Sequence, residues 1–165
     1  MQVYLLRHGI AEEGSAGSSD ADRELTAEGR KKLRQVLEAA SDSGVAPTLV
    51  ISSPLKRALQ TAEIARHVLG YKQQILHTKA LTPGSTVEKV WDEIRVHRDE
   101  ASILLVGHNP LFSDLAAYLI GSKTAQIHFK KGAIMRVDVE SFVSQPKGTL
   151  RWYLTAKLAA KGQGG

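Results

Sequence analysis

The chain has 165 residues, of which 42% are hydrophobic, so it is long enough to bury a core as one domain. It contains no cysteine, which excludes disulfides and thiolate metal sites and favours a reducing compartment. The formal charge of +5 fits an anionic substrate or an acidic partner protein, but the basic residues show no nucleic-acid-binding motif. No apolar stretch approaches the roughly 20 residues that span a bilayer, and the opening residues lack a signal-peptide pattern. We therefore expect a cytoplasmic protein that binds neither membrane nor nucleic acid.

The first predicted element is a strand over residues 2–6, a short aliphatic run typical of buried strands. A polar loop rich in Gly, Ser and Asp follows over residues 12–24. Thr26 is the predicted N-cap of a helix with an apolar stripe, and Gly44 is expected to end that helix.

The next strand is predicted over residues 48–52. It leads into a helix for which we expect Ser53 as N-cap and Pro54 at the first helical position, where a missing N–H costs nothing. A weak strand is predicted near residues 74–77. Residues 85–88, Ser-Thr-Val-Glu, have the form of a capping box that opens a further helix.

A fourth strand is predicted over residues 102–106, and it repeats the earlier arrangement, with Asn109 as N-cap and Pro110 at the first helical position. Residues 133–139 and 150–155 alternate between apolar and polar side chains, and no helical pattern separates them. These two segments therefore predict an antiparallel pair.

Strands that alternate with helices predict an α/β fold with a parallel sheet, to which the last two strands add the antiparallel pair. The chain shows no internal repeat and no composition shift that would mark a domain boundary. We expect a single domain over residues 1–158 and a flexible glycine-rich tail over residues 159–165.

Three of the predicted strands end in residues that bind or attack phosphate. Arg7 and His8 follow the first strand, and Arg57 lies in the first turn of the helix after the second. His108 follows the strand at residues 102–106. Because ligands of parallel α/β sheets bind beyond the carboxyl ends of the strands, these four side chains are expected to share one site.

The chemistry of this set predicts phosphoryl binding. Two arginines are permanently charged forks that suit a tetrahedral oxyanion and repel a metal cation. His8, with Gly9 beside it to allow close approach of the ligand, can attack phosphorus if a backbone carbonyl holds its other ring nitrogen. His108 becomes a third cationic donor if a nearby phosphate protonates it. No third metal ligand has suitable spacing, so we expect neither a metal nor an organic cofactor.

The motifs around these residues resemble those of the histidine phosphatase superfamily, which includes the phosphoglycerate mutases. The matching segments are Leu6-Arg7-His8-Gly9, Ser53-Pro54-Leu55-Lys56-Arg57-Ala58 with Gln60-Thr61-Ala62, and Val106-Gly107-His108-Asn109-Pro110. Each segment alone is weak evidence for the resemblance, but the three together are highly specific for it. The resemblance implies a three-layer αβα sandwich whose mostly parallel, mixed sheet is flanked by helices. It also implies that His8 is the nucleophile and becomes phosphorylated, while Arg7, Arg57 and His108 bind the phosphoryl group.

Within that superfamily the short chain looks most like the SixA-type phosphohistidine phosphatases. Relatives that act on phosphate monoesters usually carry a carboxylic general acid shortly after the third strand, whereas residues 79–85 contain no carboxylate. An imidazole leaving group needs less protonation than an alkoxide, so this absence favours an N–P bond. It remains open whether Glu12, Glu13 or Glu88 folds into the site and acts as the general acid.

The resemblance implies a partner protein that bears phosphohistidine, such as a phosphotransfer domain or a phosphorylated carrier protein, bound at a shallow site. Two other functions remain open. One is a small phosphomonoesterase that acts on a phosphorylated metabolite, and the other is a non-catalytic phosphate-binding module. Nothing in the sequence indicates an oligomeric state.

Overall fold

The computed structural model describes residues 1–162. Within these residues six strands form one sheet: β1 Gln2–Arg7, β2 Leu49–Ser52, β3 Leu76–His77, β4 Ser102–Gly107, β5 Ile134–Asp138 and β6 Thr149–Leu154. The α-helices of the same part of the chain are α1 Ala27–Asp42, α2 Lys56–Val68, α3 Val87–Val96, α4 Leu111–Leu119 and α5 Ala156–Gly162. Two short 3₁₀ turns are Asp20–Asp22 and Lys79–Leu81.

The strand order is β3-β2-β4-β1-β5-β6. β3, β2, β4 and β1 run parallel, whereas β5 is antiparallel to β1 and β6 is antiparallel to β5. The register pairs Arg7 with Gly107 and Ser52 with Val106, so the carboxyl ends of three neighbouring strands lie side by side. The predicted mixed, mostly parallel sheet with an antiparallel C-terminal pair is confirmed.

Helices cover both faces of the sheet because the central strands are apolar on both sides. In β1, Val3 and Leu5 face the layer of α3 and α4, while Tyr4 and Leu6 face α1, α2 and α5. Each fully buried aliphatic side chain of this kind contributes about 1.5–3 kcal/mol of transfer free energy. The result is the predicted three-layer αβα sandwich.

The N-cap predicted for α2 is wrong. The helix begins at Lys56, and its N-cap residue is Leu55, whose side chain makes no capping hydrogen bond. Ser53 lies two residues earlier, where its Oγ accepts a 3.3 Å bond from the Leu55 N–H and lies 2.7 Å from the His108 ring. Its hydroxyl is engaged by a distant histidine, which local sequence does not reveal.

A similar displacement of one residue occurs at α4, where Pro110 is the N-cap and the helix begins at Leu111. Asn109 lies outside the helix, yet its Oδ1 accepts a 3.2 Å bond from the Ser113 N–H and so satisfies one of the free donors of the first turn.

The starts of α1 and α3 depend on local hydrogen bonds and are closer to expectation. Thr26 caps α1 by accepting from the Gly29 N–H at 2.9 Å, as predicted. At α3 the cap is Thr86, which accepts from the Lys89 N–H at 3.4 Å, so the helix starts within the predicted capping-box segment.

The last helix overlaps the segment expected to be a tail. α5 spans Ala156–Gly162, and Ala159 is buried in the hydrophobic layer formed with α1 and α2. Residues 159–162 are therefore helical, which corrects the expected start of the tail, and residues 163–165 lie outside the described part of the chain. Among residues 1–162, no helix combines the length and the apolar character that crossing a bilayer requires.

Candidate active site

The four residues singled out in the sequence lie together at the carboxyl edge of the sheet. Arg7 is the last residue of β1 and His8 follows it, while His108 directly follows β4. The ring centroids of the two histidines are 5.1 Å apart. Arg57 is the second residue of α2, and its charge acts on both histidines. The predicted juxtaposition is therefore present in the fold.

His8 is buried, with 6% of its surface exposed, and its ring has a defined hydrogen-bonding role. Its Nδ1 lies 2.7 Å from the carbonyl oxygen of Gly9. Because a carbonyl only accepts, this contact assigns the proton to Nδ1 and leaves a lone pair on Nε2. Burial, followed by the charges of Arg57, Arg7 and Lys131, lowers the pKa of His8 to about 4. The imidazole is therefore neutral at pH 7 and can act as a nucleophile.

His108 is only 1% exposed, and its Nε2 lies 2.7 Å from Ser53 Oγ. The Ser53 hydroxyl accepts from the Leu55 N–H and can donate its own hydrogen to Nε2; in that tautomer the His108 proton is on Nδ1. Burial, and next the neighbouring His8, lower the pKa of His108 to about 3. His108 is therefore a neutral N–H donor here, and the expected cationic form requires an adjacent anion to raise this pKa.

The two guanidinium groups are held differently. Arg7 donates from Nη1 to the carbonyl oxygen of Phe129 at 2.6 Å, and burial lowers its pKa. Arg57 is buried and donates from Nη1 to the Asp20 carbonyl at 2.8 Å and from Nη2 to the Asp20 carboxylate at 3.2 Å. One arginine therefore has a neutral partner, and the other is paired with a carboxylate.

Unpaired buried nitrogen atoms concentrate at this edge. Within residues 1–162, four buried side-chain polar atoms have no hydrogen-bond partner, and three of them are Arg7 Nε, Arg57 Nε and His108 Nδ1. An unsatisfied buried polar group costs about 1–3 kcal/mol, and more when it is charged. Three donors left in this state fit an anion with several acceptor oxygens, such as a phosphoryl group.

Sequence reasoning missed Asp20. Asp20 was not singled out in the sequence, yet the 3₁₀ turn of the polar loop brings its carboxylate onto Arg57, although the side chain remains 62% exposed. Hydrogen bonding from Arg23, then the charge of Arg57, holds the pKa of this carboxyl below its ordinary value. Asp20 is thus ionised and neutralises one of the two arginines. No local pattern marks it, since its partner lies 37 residues away.

The loop after β1 is fixed by Thr61, which lies in the segment matching the second family motif. The Gly9 N–H donates to Thr61 Oγ1 at 3.2 Å, and that hydroxyl donates to the Arg57 carbonyl at 2.7 Å. A Cβ on Gly9 would make ordinary van der Waals contact with the Gly29 carbonyl oxygen of α1, at 3.4 Å.

The acids left open in the sequence lie on two different segments. Glu12 and Glu13 are exposed in the loop, and Glu88 lies in the first turn of α3, where its charge acts on Tyr118. In the described residues 1–162, no group of three or more His, Asp or Glu side chains is arranged to hold a metal ion.

The chain is similar to several known proteins. The family model of the histidine phosphatase superfamily (branch 1) matches residues 3–82. An uncharacterized protein of Picosynechococcus sp. (strain ATCC 27264 / PCC 7002 / PR-6) is 32% identical over 137 residues, which cover 82% of this chain and 83% of that protein. A phosphohistidine phosphatase SixA homolog of Haemophilus influenzae is 30% identical over 134 residues, covering 74% of this chain and 79% of its own length.

The fold has a close structural counterpart. The protein histidine phosphatase SixA, solved in complex with tungstate, superposes with a TM-score of 0.86 at 29% identity. The superposition covers 95% of this chain and 98% of SixA. The likeness therefore extends over nearly the whole of both chains.

Proposed function

The chain belongs to the histidine phosphatase superfamily, and from this premise we propose that it is a phosphatase that hydrolyses phosphohistidine on a partner protein. In this proposal His8 is the nucleophile, and Arg7, Arg57 and His108 bind the phosphoryl group. The observation that carries the proposal is the neutral His8 ring, which lies 5.1 Å from the His108 ring at the edge of the sheet where nitrogen atoms of Arg7, Arg57 and His108 are buried without partners.

The first step is in-line transfer of the phosphoryl group. His8 Nε2 forms a bond to phosphorus while the N–P bond of the substrate breaks and its electron pair stays on the departing imidazole. If the other nitrogen of that imidazole carries a proton, it leaves as a neutral ring. The arginines and the His108 N–H hold the equatorial oxygens, where positioning and electrostatic stabilisation provide most of the rate enhancement of phosphoryl transfer.

The second step is hydrolysis of the phosphorylated enzyme. A water oxygen bonds to phosphorus, the Nε2–P bond breaks, and Nε2 recovers its lone pair. The Nδ1 hydrogen bond to Gly9 supports both steps, because Nδ1 keeps its proton while Nε2 is phosphorylated. Phosphate is released with the protons of the water. No metal takes part in this proposal, because a site with two guanidinium groups attracts anions and repels cations.

The state of Asp20 supports an N–P substrate. A general acid that protonates an alkoxide must be protonated at working pH, which requires a raised pKa. The carboxyl that the fold brings to Arg57 has a lowered pKa and is ionised. Departure of an imidazole does not depend on such an acid.

The likeness to SixA supports both the site and the substrate class. Tungstate, bound by that relative, is a tetrahedral oxyanion like the phosphoryl group. By this likeness, the partner proposed here is a protein that presents phosphohistidine, such as a phosphotransfer domain or a carrier protein. We propose the described sandwich as a single catalytic domain.

The test is a competition between a phosphohistidine protein and a panel of phosphorylated metabolites, with radiolabel followed on the enzyme. We expect faster turnover of the phosphohistidine protein and an acid-labile, alkali-stable label that disappears in His8→Ala but not in His67→Ala, an exchange outside the site. Faster turnover of a phosphate ester would instead make the protein a phosphomonoesterase. Label on serine would remove His8 as nucleophile, and phosphate binding without turnover would indicate a binding module.

A further inference from the structure

A cavity of about 590 Å³ lies beside the candidate site. Arg7 lines this cavity and also belongs to the phosphate site, so the two are contiguous. We call this cavity the basic pocket, and the basic side chains that line it are Arg7, Lys32, His128, Lys130, Lys131 and Lys157.

The charge of the basic pocket is largely uncompensated. None of the residues that the structure describes around it is acidic. Lys32 is paired with Glu28, with 2.8 Å between Nζ and Oε1. Among residues 1–162, Lys130, Lys131 and Lys157 have no ion-pair partner. Three lysine charges therefore lie beside Arg7 without a carboxylate.

The segment that carries two of these lysines is firmly anchored. Tyr153 accepts from the Lys130 N–H at 2.8 Å and donates to the His128 carbonyl at 3.0 Å. Two residues further on, the Gly132 N–H contacts the carbonyl oxygens of Arg7 and His8 at 3.1 and 3.0 Å. The lysines are thus presented by a backbone tied to the same strand end that carries the nucleophile.

The pocket also acts electrostatically on the site. The charge of Lys131 contributes to the lowered pKa of His8, which places this lysine within interaction range of the nucleophile. Screening reduces interactions between exposed charges beyond about 8–10 Å, so the effect of Lys131 on His8 is a short-range one.

We infer that the basic pocket binds acidic side chains that flank the phosphohistidine on the partner protein. This inference rests on the function proposed above. The lining of the pocket also includes Ile10, Thr155 and Ala156, which suit the aliphatic stem of a glutamate. The described lining contains no Phe, Tyr or Trp, so it lacks the stacking platforms with which proteins bind single-stranded nucleic acid. The pocket thereby selects partners by charge complementarity.

The test uses two synthetic peptides that carry the same phosphohistidine, one flanked by glutamates and the other by glutamines. We expect kcat/KM for the glutamate peptide to exceed that for the glutamine peptide by about tenfold at low salt, with a ratio that falls toward one in high salt. The double variant Lys130→Glu with Lys157→Glu is expected to abolish or invert this ratio. The matched double variant Lys123→Glu with Lys147→Glu, at exposed lysines outside the pocket, is expected to preserve it.

A binding measurement separates this inference from the proposed catalysis. The unphosphorylated peptides are labelled, and their affinity for the wild-type chain is measured by fluorescence anisotropy, with preference for the glutamate peptide expected. Equal affinity, or equal loss of the preference in both double variants, overturns the inference. Binding of a labelled single-stranded RNA more tightly than the glutamate peptide also overturns it. If neither peptide is hydrolysed while the preference persists, the proposed function fails and the pocket assignment stands.

Discussion

The two ends of the sheet treat buried polar groups in opposite ways. At the amino ends of β2 and β4, Ser102 is buried and fully engaged, donating from Oγ to the Ala46 carbonyl at 3.2 Å. Ser102 Oγ also accepts from the Thr48 N–H at 3.1 Å. In return, the Thr48 hydroxyl accepts from the Ser102 N–H at 3.2 Å and donates to the Ser102 carbonyl at 2.7 Å. At the carboxyl ends, by contrast, three nitrogen atoms of Arg7, Arg57 and His108 are buried without partners.

This difference separates a structural polar cluster from a site prepared for a ligand. Paired polar groups contribute modestly to folding, whereas unpaired ones reduce stability until an anion satisfies them. The carboxyl edge thus combines unpaired hydrogen-bond donors with positive charge, which are the features that phosphoryl transfer requires. Changes at the two ends should therefore affect different measurements.

The largest expected effect is at Arg57. Arg57→Ala should lower kcat for phosphohistidine hydrolysis on the order of 10²–10³, as does the loss of one donor to a developing oxyanion. Steady-state kinetics with a phosphohistidine protein provide the measurement, and Arg98→Ala, at an exposed arginine, is the matched control. Unchanged kinetics in Arg57→Ala would remove this residue from the site.

The next effect is the pH dependence of stability. The pKa values of His8, about 4, and His108, about 3, lie below the ordinary value of 6.5, so the unfolded chain binds more protons than the folded one between these values. The stability that depends on keeping these two histidines neutral is therefore fully present above about pH 6.5 and is lost as the pH falls toward 4. A shift from 6.5 to about 4 corresponds to about 3 kcal/mol for His8.

Urea unfolding at a series of pH values measures this loss. His8→Asn removes one titrating group and should flatten the dependence, while His67→Asn, outside the site, should leave the slope unchanged. The quantity to compare is the slope of the unfolding free energy against pH, because either exchange also changes the stability at neutral pH. An identical slope in wild type and His8→Asn would contradict the assignment of a depressed pKa to His8.

A smaller effect is expected at the opposite end of the sheet. Ser102→Ala leaves the Ala46 carbonyl without its hydroxyl donor, while the Thr48 N–H keeps its 3.0 Å bond to the Ser102 carbonyl, so the free energy of unfolding should fall by about 1–3 kcal/mol. Its kcat and KM should match those of the wild type, because Ser102 lies at the other end of β4 from His108. A loss of activity as large as that of Arg57→Ala would remove the distinction between the two ends.

The smallest predicted effect concerns Asp20, whose carboxylate competes with an anion for Arg57. The ion pair involves an exposed side chain and is worth about 0.2–1 kcal/mol, so Asp20→Asn should tighten tungstate binding about two- to fivefold. Calorimetric titration with tungstate measures this change. Asp22→Asn, in the same turn and without a bond to Arg57, is the control. Weaker binding in Asp20→Asn than in Asp22→Asn would show that the carboxylate helps to bind the anion.

Much of the architecture was predictable because it depends on local chemistry. The aliphatic runs specified the strands, and Thr26 capped α1 through a contact three residues away. The juxtaposition of Arg7, His8 and His108 also followed from the pattern, because neighbouring parallel strands bring their carboxyl ends to one edge.

The features that sequence analysis misassigned or missed depend on contacts between residues far apart in the chain. Ser53 was predicted as a helix cap, but its hydroxyl binds a histidine 55 residues away. Asp20 was not singled out in the sequence, and only the path of the loop places it on Arg57. In both cases the deciding partner is remote in sequence, and periodicity cannot identify it.

The sequence by itself determined which side chains follow the carboxyl end of each strand. It therefore also determined that two arginines and two histidines gather at one edge of the sheet. Only the tertiary structure decided how those groups are charged and aimed. Burial lowers the pKa of both histidines, the Gly9 carbonyl orients His8, and an anchored loop places lysines beside Arg7. These properties depend on desolvation and on contacts across the fold, and neither exists until the chain is packed.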